Sequence, residues 1–269
     1  MKRNYLGALV LGLVLLCGLC GLSSCGSVAV TGRKQLLLVS DQEILTSSLT
    51  QYKEYMKSAP ISTKKTQSDM VSRVGKRLAN ATESYLKNNG LSAEIQNFAW
   101  EFSLVKDNQV NAFCMPGGKI VVYEGLMNII SSEDELAVVI GHEVAHAVAK
   151  HSNERMSQQI LAQYGAQILS QGLSQKSAAV QQIAGSVFGL GAQYGVMLPF
   201  SRKHEYEADY MGLIFMRMAG YNPDVAVNFW EKMSSGSAQK VPELLSTHPS
   251  DANRIQKIKE ALPSIKSKY

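Results

Sequence analysis

The chain opens with an apolar run from about Leu6 to Leu22, directly after Met1-Lys2-Arg3, the layout of a basic n-region followed by the h-region of a secretory signal. The polar and apolar positions then take a helical period from about Asp41 to Ser58 and from about Lys65 to Lys87, with Pro60 between them and Asn88-Asn89-Gly90 closing the second. Between Asn97 and Tyr123 the period shortens to three strand-like runs, Phe98 to Val105, Val110 to Met115 and Lys119 to Tyr123, and Pro116-Gly117-Gly118 supplies a turn between the last two. From Gly125 onward the pattern is helical, so the expected class is α+β, mostly helical, with one small sheet.

One predicted helix, from about Glu133 to His151, is apolar nearly all round, which marks a buried helix. Ser132 and Glu135 stand at capping-box spacing at its start, and His151 at its end suits the helix dipole without further chemistry. Three costly polar groups interrupt it: His142, Glu143 and His146. Two histidines four apart project from one side of a helix and can share one Zn²⁺, while the glutamate beside the first faces the water whose proton it would take. This is the H-E-x-x-H arrangement, for which the structural alternative is a pair of hydrogen-bonded core histidines. A catalytic zinc needs a third protein ligand. The segment Ser201 to Asp209 opens another predicted helix on which Glu205 and Asp209 share a face, so Glu205 is the expected ligand and Asp209 the acceptor that fixes a ligand histidine's tautomer. Glu207 points away, and His204 is the rival ligand.

Leu22-Ser23-Ser24-Cys25 places small residues before a cysteine, as a lipoprotein signal peptidase requires; an uncleaved anchor is the other reading. Cleavage there divides the chain into a signal peptide (1–24), a lipidated tether (25–40) and a metallopeptidase domain (41–269), placed on the periplasmic face of a bacterial membrane. Gly26 after Cys25 favours the outer membrane. Of four cysteines only Cys114 then remains, unable to form an internal disulfide and expected to be a small buried hydrophobe. The formal charge of +5 falls to +3 once Lys2 and Arg3 leave, too little to argue for a nucleic-acid partner.

These residues resemble the gluzincin peptidase family that includes the HtpX and CAAX prenyl proteases, in a soluble lipoprotein branch. The matching segments are Thr31 to Leu36, Asn111 to Phe113 through Gly117-Gly118, His142 to His146, Glu205 to Asp209, and His248-Pro249 to Arg254. The resemblance implies a zincin-like fold whose edge strand flanks the active-site helix, with Asn111, Ala112 and Phe113 binding extended substrate through the strand edge. It also implies one Zn²⁺ per chain and misfolded or stalled envelope polypeptides as substrates. No apolar spans follow the signal, so prenyl-protein processing is not carried over, nor is recruitment through a tetratricopeptide domain.

Two segments complete the expectation. His248 and Arg254 are placed at the active site, either one as oxyanion donor, or His248 as a gate that swings onto the open metal position. The stretch 156–200, with several glycines, reads either as a helical cover over the cleft or as ordinary helix packing. The expected activity is zinc-dependent endopeptidase, with Glu143 as general base. The rival is a non-hydrolytic lipoprotein that uses zinc as a staple and assists outer-membrane assembly.

Overall fold

A computed structural model describes residues 25–160, 201–235, 244, 248 and 252–269 of the chain. In order these form β1 (Cys25–Ser27), β2 (Lys34–Leu36), α1 (Asp41–Ser58), α2 (Lys65–Asn88), α3 (Ser92–Ile95), β3 (Glu101–Val105), β4 (Ala112–Met115), β5 (Lys119–Tyr123), α4 (Glu124–Met127), α5 (Glu133–Val148), α6 (Arg202–Met218), α7 (Val225–Ser235) and α8 (Ala252–Lys268). Residues 151–160 are also helical. The architecture is α+β and mostly helical. The signal segment and 161–200, which holds most of the expected cover, lie outside the described residues. Among the described residues no helix is long and apolar enough to cross a membrane.

Local signals set the helix ends. Ser40 Oγ accepts from the Glu43 N–H and the Glu43 carboxylate accepts from the Ser40 N–H, a complete capping box at the start of α1. α2 closes with Gly90 at φ 73°, the Leu91 N–H donating to the Leu86 carbonyl at 2.8 Å and the Gly90 N–H to Lys87 at 3.3 Å, a Schellman end. At α5 only half of the expected box forms, because Glu135 accepts from the Ser131 N–H instead of from Ser132.

The main sheet has the order β3-β5-β4, with β3 parallel and β4 antiparallel to β5, so β4 lies at an edge. Side chains alternate faces along a strand, and both faces here are covered. Ala112, Cys114, Ile120 and Val122 join the core of α2, α5 and α6, whereas Phe113, Met115, Val121 and Tyr123 join Ile44 and Tyr52 of α1 and Met156 and Ile160 on the other side. α5 packs against α2, α6, α7 and β4, which explains why its sequence has no polar face.

Two observations differ from the expected layout. α5 stops at Val148, after which Lys150 takes φ 56° and the chain re-enters a helix at 151. Lys150 is held there by ion pairs to Asp41 at 2.8 Å and Glu94 at 2.9 Å, so side chains distant in sequence make a break that no Gly or Pro announces. The segment expected as a tether folds onto the body: β1 and β2 pair antiparallel, and Val28, Gln35 and Val39 are buried.

Candidate metal centre

His142 and His146 project one turn apart from α5, and α6 crosses α5 next to them. The crossing is close because glycines meet there: a Cβ on Gly212 would stand 3.0 Å from the His142 backbone nitrogen. Glu205, Asp209 and Gly212 fall on one face of α6, so the same contact brings Glu205 to the two histidines. Ser201 Oγ caps this helix by accepting from the His204 N–H at 3.3 Å.

The ligand atoms of His142, His146, Glu205 and His248 converge, all buried. His142 Nε2 lies 3.0 Å from His146 Nε2, 3.2 Å from His248 Nδ1 and 3.2 Å from Glu205 Oε2. Glu205 Oε1 lies 3.4 Å from His146 Nε2 and 3.2 Å from His248 Nδ1. A tetrahedral zinc with bonds of about 2.0–2.1 Å separates its ligand atoms by roughly 3.3 Å, so these spacings fit the ion. Glu205 Oε2 and Glu143 Oε1 are moreover buried without a hydrogen-bond partner, as a carboxylate would be if it served an ion or a water.

The surroundings shift these groups in different senses: burial works to lower the His142 imidazole, but the neighbouring Glu205 and Asp209 carboxylates raise it. Burial works to raise the Glu205 carboxyl, but His248 and His142 beside it hold it well below the usual range. Burial pushes the His146 imidazole well down, toward the neutral form a ligand requires. Burial raises Glu143 to about 7, with His248 pulling the other way and the Cys114 backbone N–H donating to the carboxylate. A carboxyl poised near neutrality suits a group that takes and returns a proton. Cys114 is buried and free, and burial pushes its thiol well up, away from nucleophilic use.

Asp209 Oδ1 lies 2.9 Å from His142 Nδ1. Arg254 is fully buried over the face of Trp230, its Cζ 3.8 Å from the ring centroid, and its Nη1 reaches Glu205 Oε2 at 3.3 Å. Arg254 thus lies against the ligands, with Asp209, Glu205 and His142 as its neighbours. His248 Nδ1 is among the ligand atoms and its Nε2 is 3.4 Å from Glu143 Oε1. The rival His204 is outside the cluster, 3.0 Å from Glu154 Oε2 and stacked on His151 at 4.4 Å.

The strand edge is less open than expected. The Tyr123 N–H donates to the Asn111 carbonyl within the sheet, and the Leu244 N–H donates to the Val110 carbonyl on the outer side. Asn111, Ala112 and Phe113 are buried, and the Phe113 ring packs edge-on against Tyr55 at 5.5 Å. Side-chain contact of Phe113 with substrate is therefore not what this conformer offers; the outward backbone of Ala112, between Val110 and Cys114, is the remaining contact point.

Sequence reasoning missed a second buried group. His151 is not a dipole partner at the end of α5: the break at Lys150 turns it back, with Nδ1 2.9 Å from His146 Nδ1 and Nε2 3.0 Å from Glu207 Oε2. Burial lowers His151 to about 4. Glu207, which does point away from the ligands, is met by Thr31 Oγ1 and by Arg33 Nε at 2.6 Å, and Arg33 also forks onto Glu154 at 2.7 and 3.0 Å. The one signal was Thr31 to Leu36, a segment that matched the resembled family without a role assigned to it.

A family model described as peptidase family M48 matches residues 67–262. The mitochondrial metalloendopeptidase OMA1 of Schizosaccharomyces pombe is 37% identical over 179 residues, 65% of this chain and 50% of that protein. The human metalloendopeptidase OMA1 is 28% identical over 247 residues, 87% of this chain and 45% of its own length. The beta-barrel assembly-enhancing protease of Yersinia pestis is 32% identical over 165 residues, 58% of this chain and 33% of that protein. The chain thus spans about half or less of the length of these curated relatives.

Proposed function

The chain belongs to peptidase family M48, and from that premise we propose that it is a zinc-dependent endopeptidase acting on unfolded or stalled cell-envelope polypeptides. His142, His146 and Glu205 would hold the ion, which when bound supplies Lewis-acid activation of water and of the scissile carbonyl. Glu143 takes a proton from the attacking water and returns it to the leaving amine. Asp209 keeps the His142 proton on Nδ1 and so leaves Nε2 free to bind. Extended substrate pairs with the outward backbone of β4. An apolar recess beside His146, lined by Ile44, Leu45, Phe98 and Pro116, suits the apolar side chains that unfolded chains expose. The single observation that carries this reading is Glu143, buried beside the cluster with no hydrogen bond to Oε1 and only His248 Nε2 near it at 3.4 Å, a cost that a purely structural site has no reason to bear.

One observation favours the rival, a non-hydrolytic zinc-stapled lipoprotein that assists outer-membrane assembly: four protein ligands make a closed site. A gate reconciles the two. In this reading His248 closes the centre at rest and leaves when substrate arrives, after which its imidazole donates to the oxyanion. Leu244, on the edge of β4, belongs to the same segment.

For location, the sequence around Cys25 supports a lipid anchor on the periplasmic face of a bacterial membrane, the outer membrane preferred over the inner, with residues 1–24 as the signal. The bacterial relative named for beta-barrel assembly adds support for an envelope role. The test is zinc analysis of purified residues 26–269 together with cleavage of an unfolded protein. One equivalent of zinc and cleavage abolished by a chelator are expected; zinc without cleavage of any unfolded protein would favour the staple.

A further inference from the structure

The two helical histidines of the centre are supported in parallel ways. Behind His142 stands Asp209, gripped by Arg254. Behind His146 stands a second imidazole, His151, then Glu207, gripped by Arg33 and Thr31. The partners fix the proton positions along this second line. To bind through Nε2, a neutral His146 must carry its proton on Nδ1, and the atom 2.9 Å away, His151 Nδ1, must then be an acceptor. The His151 proton is consequently on Nε2, 3.0 Å from Glu207 Oε2. Glu207 accepts it only as an oriented carboxylate, and its orientation comes from Thr31 Oγ1 on Oε1 and Arg33 Nε on Oε2.

We infer that Thr31 and Arg33, in the N-terminal β1–β2 hairpin, are positioning residues of the metal centre that act on His146 through Glu207 and His151. The inference rests on the metallopeptidase reading and deepens it. Arg33 has the geometry for the task, because its guanidinium spans two elements, Glu207 on α6 and Glu154 on the stretch 151–160, and so fixes the second imidazole from both sides. Gly32 at φ 69° closes the hairpin, its N–H donating to the Val28 carbonyl at 2.9 Å, and delivers the neighbouring residues to that gap. A hairpin that served only to cover apolar surface would need neither the fork nor the hydroxyl.

The test uses the full chain with Thr31→Val, Arg33→Gln and Glu207→Gln, and with Glu135→Gln as a control that removes the Lys232 ion pair at the far end of α5. Zinc affinity is measured by competition with a chelating indicator, ligand geometry by the visible spectrum of the Co²⁺-substituted protein, and folding by thermal melting of the metal-free form. Loss of an outer-shell partner typically weakens metal binding about ten- to a hundredfold. The three variants are expected to fall in that range with altered Co²⁺ bands, Arg33→Lys to recover part of the loss, and the control to bind as the wild type does. Thr31→Val, the mildest change, keeps the test usable if Arg33→Gln fails to fold. Zinc affinity within twofold of wild type in Thr31→Val and Glu207→Gln, or an equal loss in the control, would overturn the inference. A wild type that binds no zinc would instead sink the metallopeptidase reading, and this inference with it.

Discussion

Arg254 grips Asp209 with two bonds, Nε to Oδ2 at 2.6 Å and Nη2 to Oδ1 at 2.8 Å, in a site where Arg254 has no exposed surface. Removing one member of such a pair leaves the other charge buried, which typically costs about 3–5 kcal/mol, whereas removing both costs less than the sum. Asp209→Asn and Arg254→Met are each expected to lower the unfolding free energy of the metal-free protein by about that amount, and the double variant by less than the two together. Urea unfolding with a chelator present makes the comparison. Additive losses would mean that the pair is not coupled.

Glu143→Gln is expected to retain zinc and to lose cleavage of an unfolded protein, because it removes the base and no ligand. Burial opposes the Glu143 charge, so the neutral amide is also expected to melt no lower than the wild type. Glu205→Ala, in contrast, should lose zinc, since its carboxylate is within 3.4 Å of both helical histidines. Zinc analysis and turnover on the same preparations separate the two. Near-normal turnover in Glu143→Gln would refute the assignment of the base.

His248→Ala distinguishes gate from donor. If His248 closes the centre at rest, its loss leaves zinc bound and makes cleavage faster or less regulated. If its main service is to the oxyanion, turnover falls about a hundred- to a thousandfold with zinc retained. The position of Nδ1 among the ligand atoms favours the first outcome. Unchanged turnover would give the residue a structural role.

Much of this centre was legible in sequence because helical periodicity transmits position well. His142 and His146 at i and i+4, and Glu205 and Asp209 at i and i+4, each share a face whatever the rest of the chain does. The helical period and Pro60 likewise gave α1 its extent, Asp41 to Ser58. The break at Lys150 was not legible: it depends on Asp41 and Glu94, which are remote in sequence, and without it His151 would lie on the continuation of α5 instead of behind His146. Arg254 lies within reach of Glu205 and Asp209, but which side of the ligands the guanidinium stands on is information that spacing does not carry. The docking of Thr31 and Arg33 was hidden for the same reason, their partners lying more than a hundred residues away.

Cys25→Ser tests the proposed anchor. The variant is expected to lose lipid labelling and either to leave the membrane fraction or to accumulate as a longer precursor, which electrophoresis resolves. Recovery in the same lipid-labelled form as the wild type would remove the anchor and the outer-membrane placement with it.

Gly212→Ala probes the helix crossing on which the whole ligand set depends. A Cβ at this position would lie 3.0 Å from the Gly141 carbonyl carbon and from the His142 backbone nitrogen, and 3.1 Å from the Gly141 oxygen. All three are backbone atoms of α5, so no side-chain rotation relieves the contact and α6 must move outward by a few tenths of an ångström. Alanine gains roughly 1 kcal/mol of helix propensity over glycine, but overpacking of a filled interface typically costs about 1–3 kcal/mol, and the second effect should win here. Glu205 and Asp209 sit on the same face of α6 as Gly212, so the displacement also opens the 3.2 Å gap between Glu205 Oε2 and His142 Nε2. The expected result is a lower melting temperature together with weaker zinc binding. Gly141→Ala should be milder, since the backbone it meets is at 3.2 Å and its next neighbour is the movable Met216 side chain at 3.4 Å. Melting curves and zinc competition on both variants give the order. A Gly212→Ala protein that melts at or above the wild-type temperature with unchanged zinc affinity would show that α6 can shift without disturbing the ligands, and would remove the helix crossing as the element that sets their spacing.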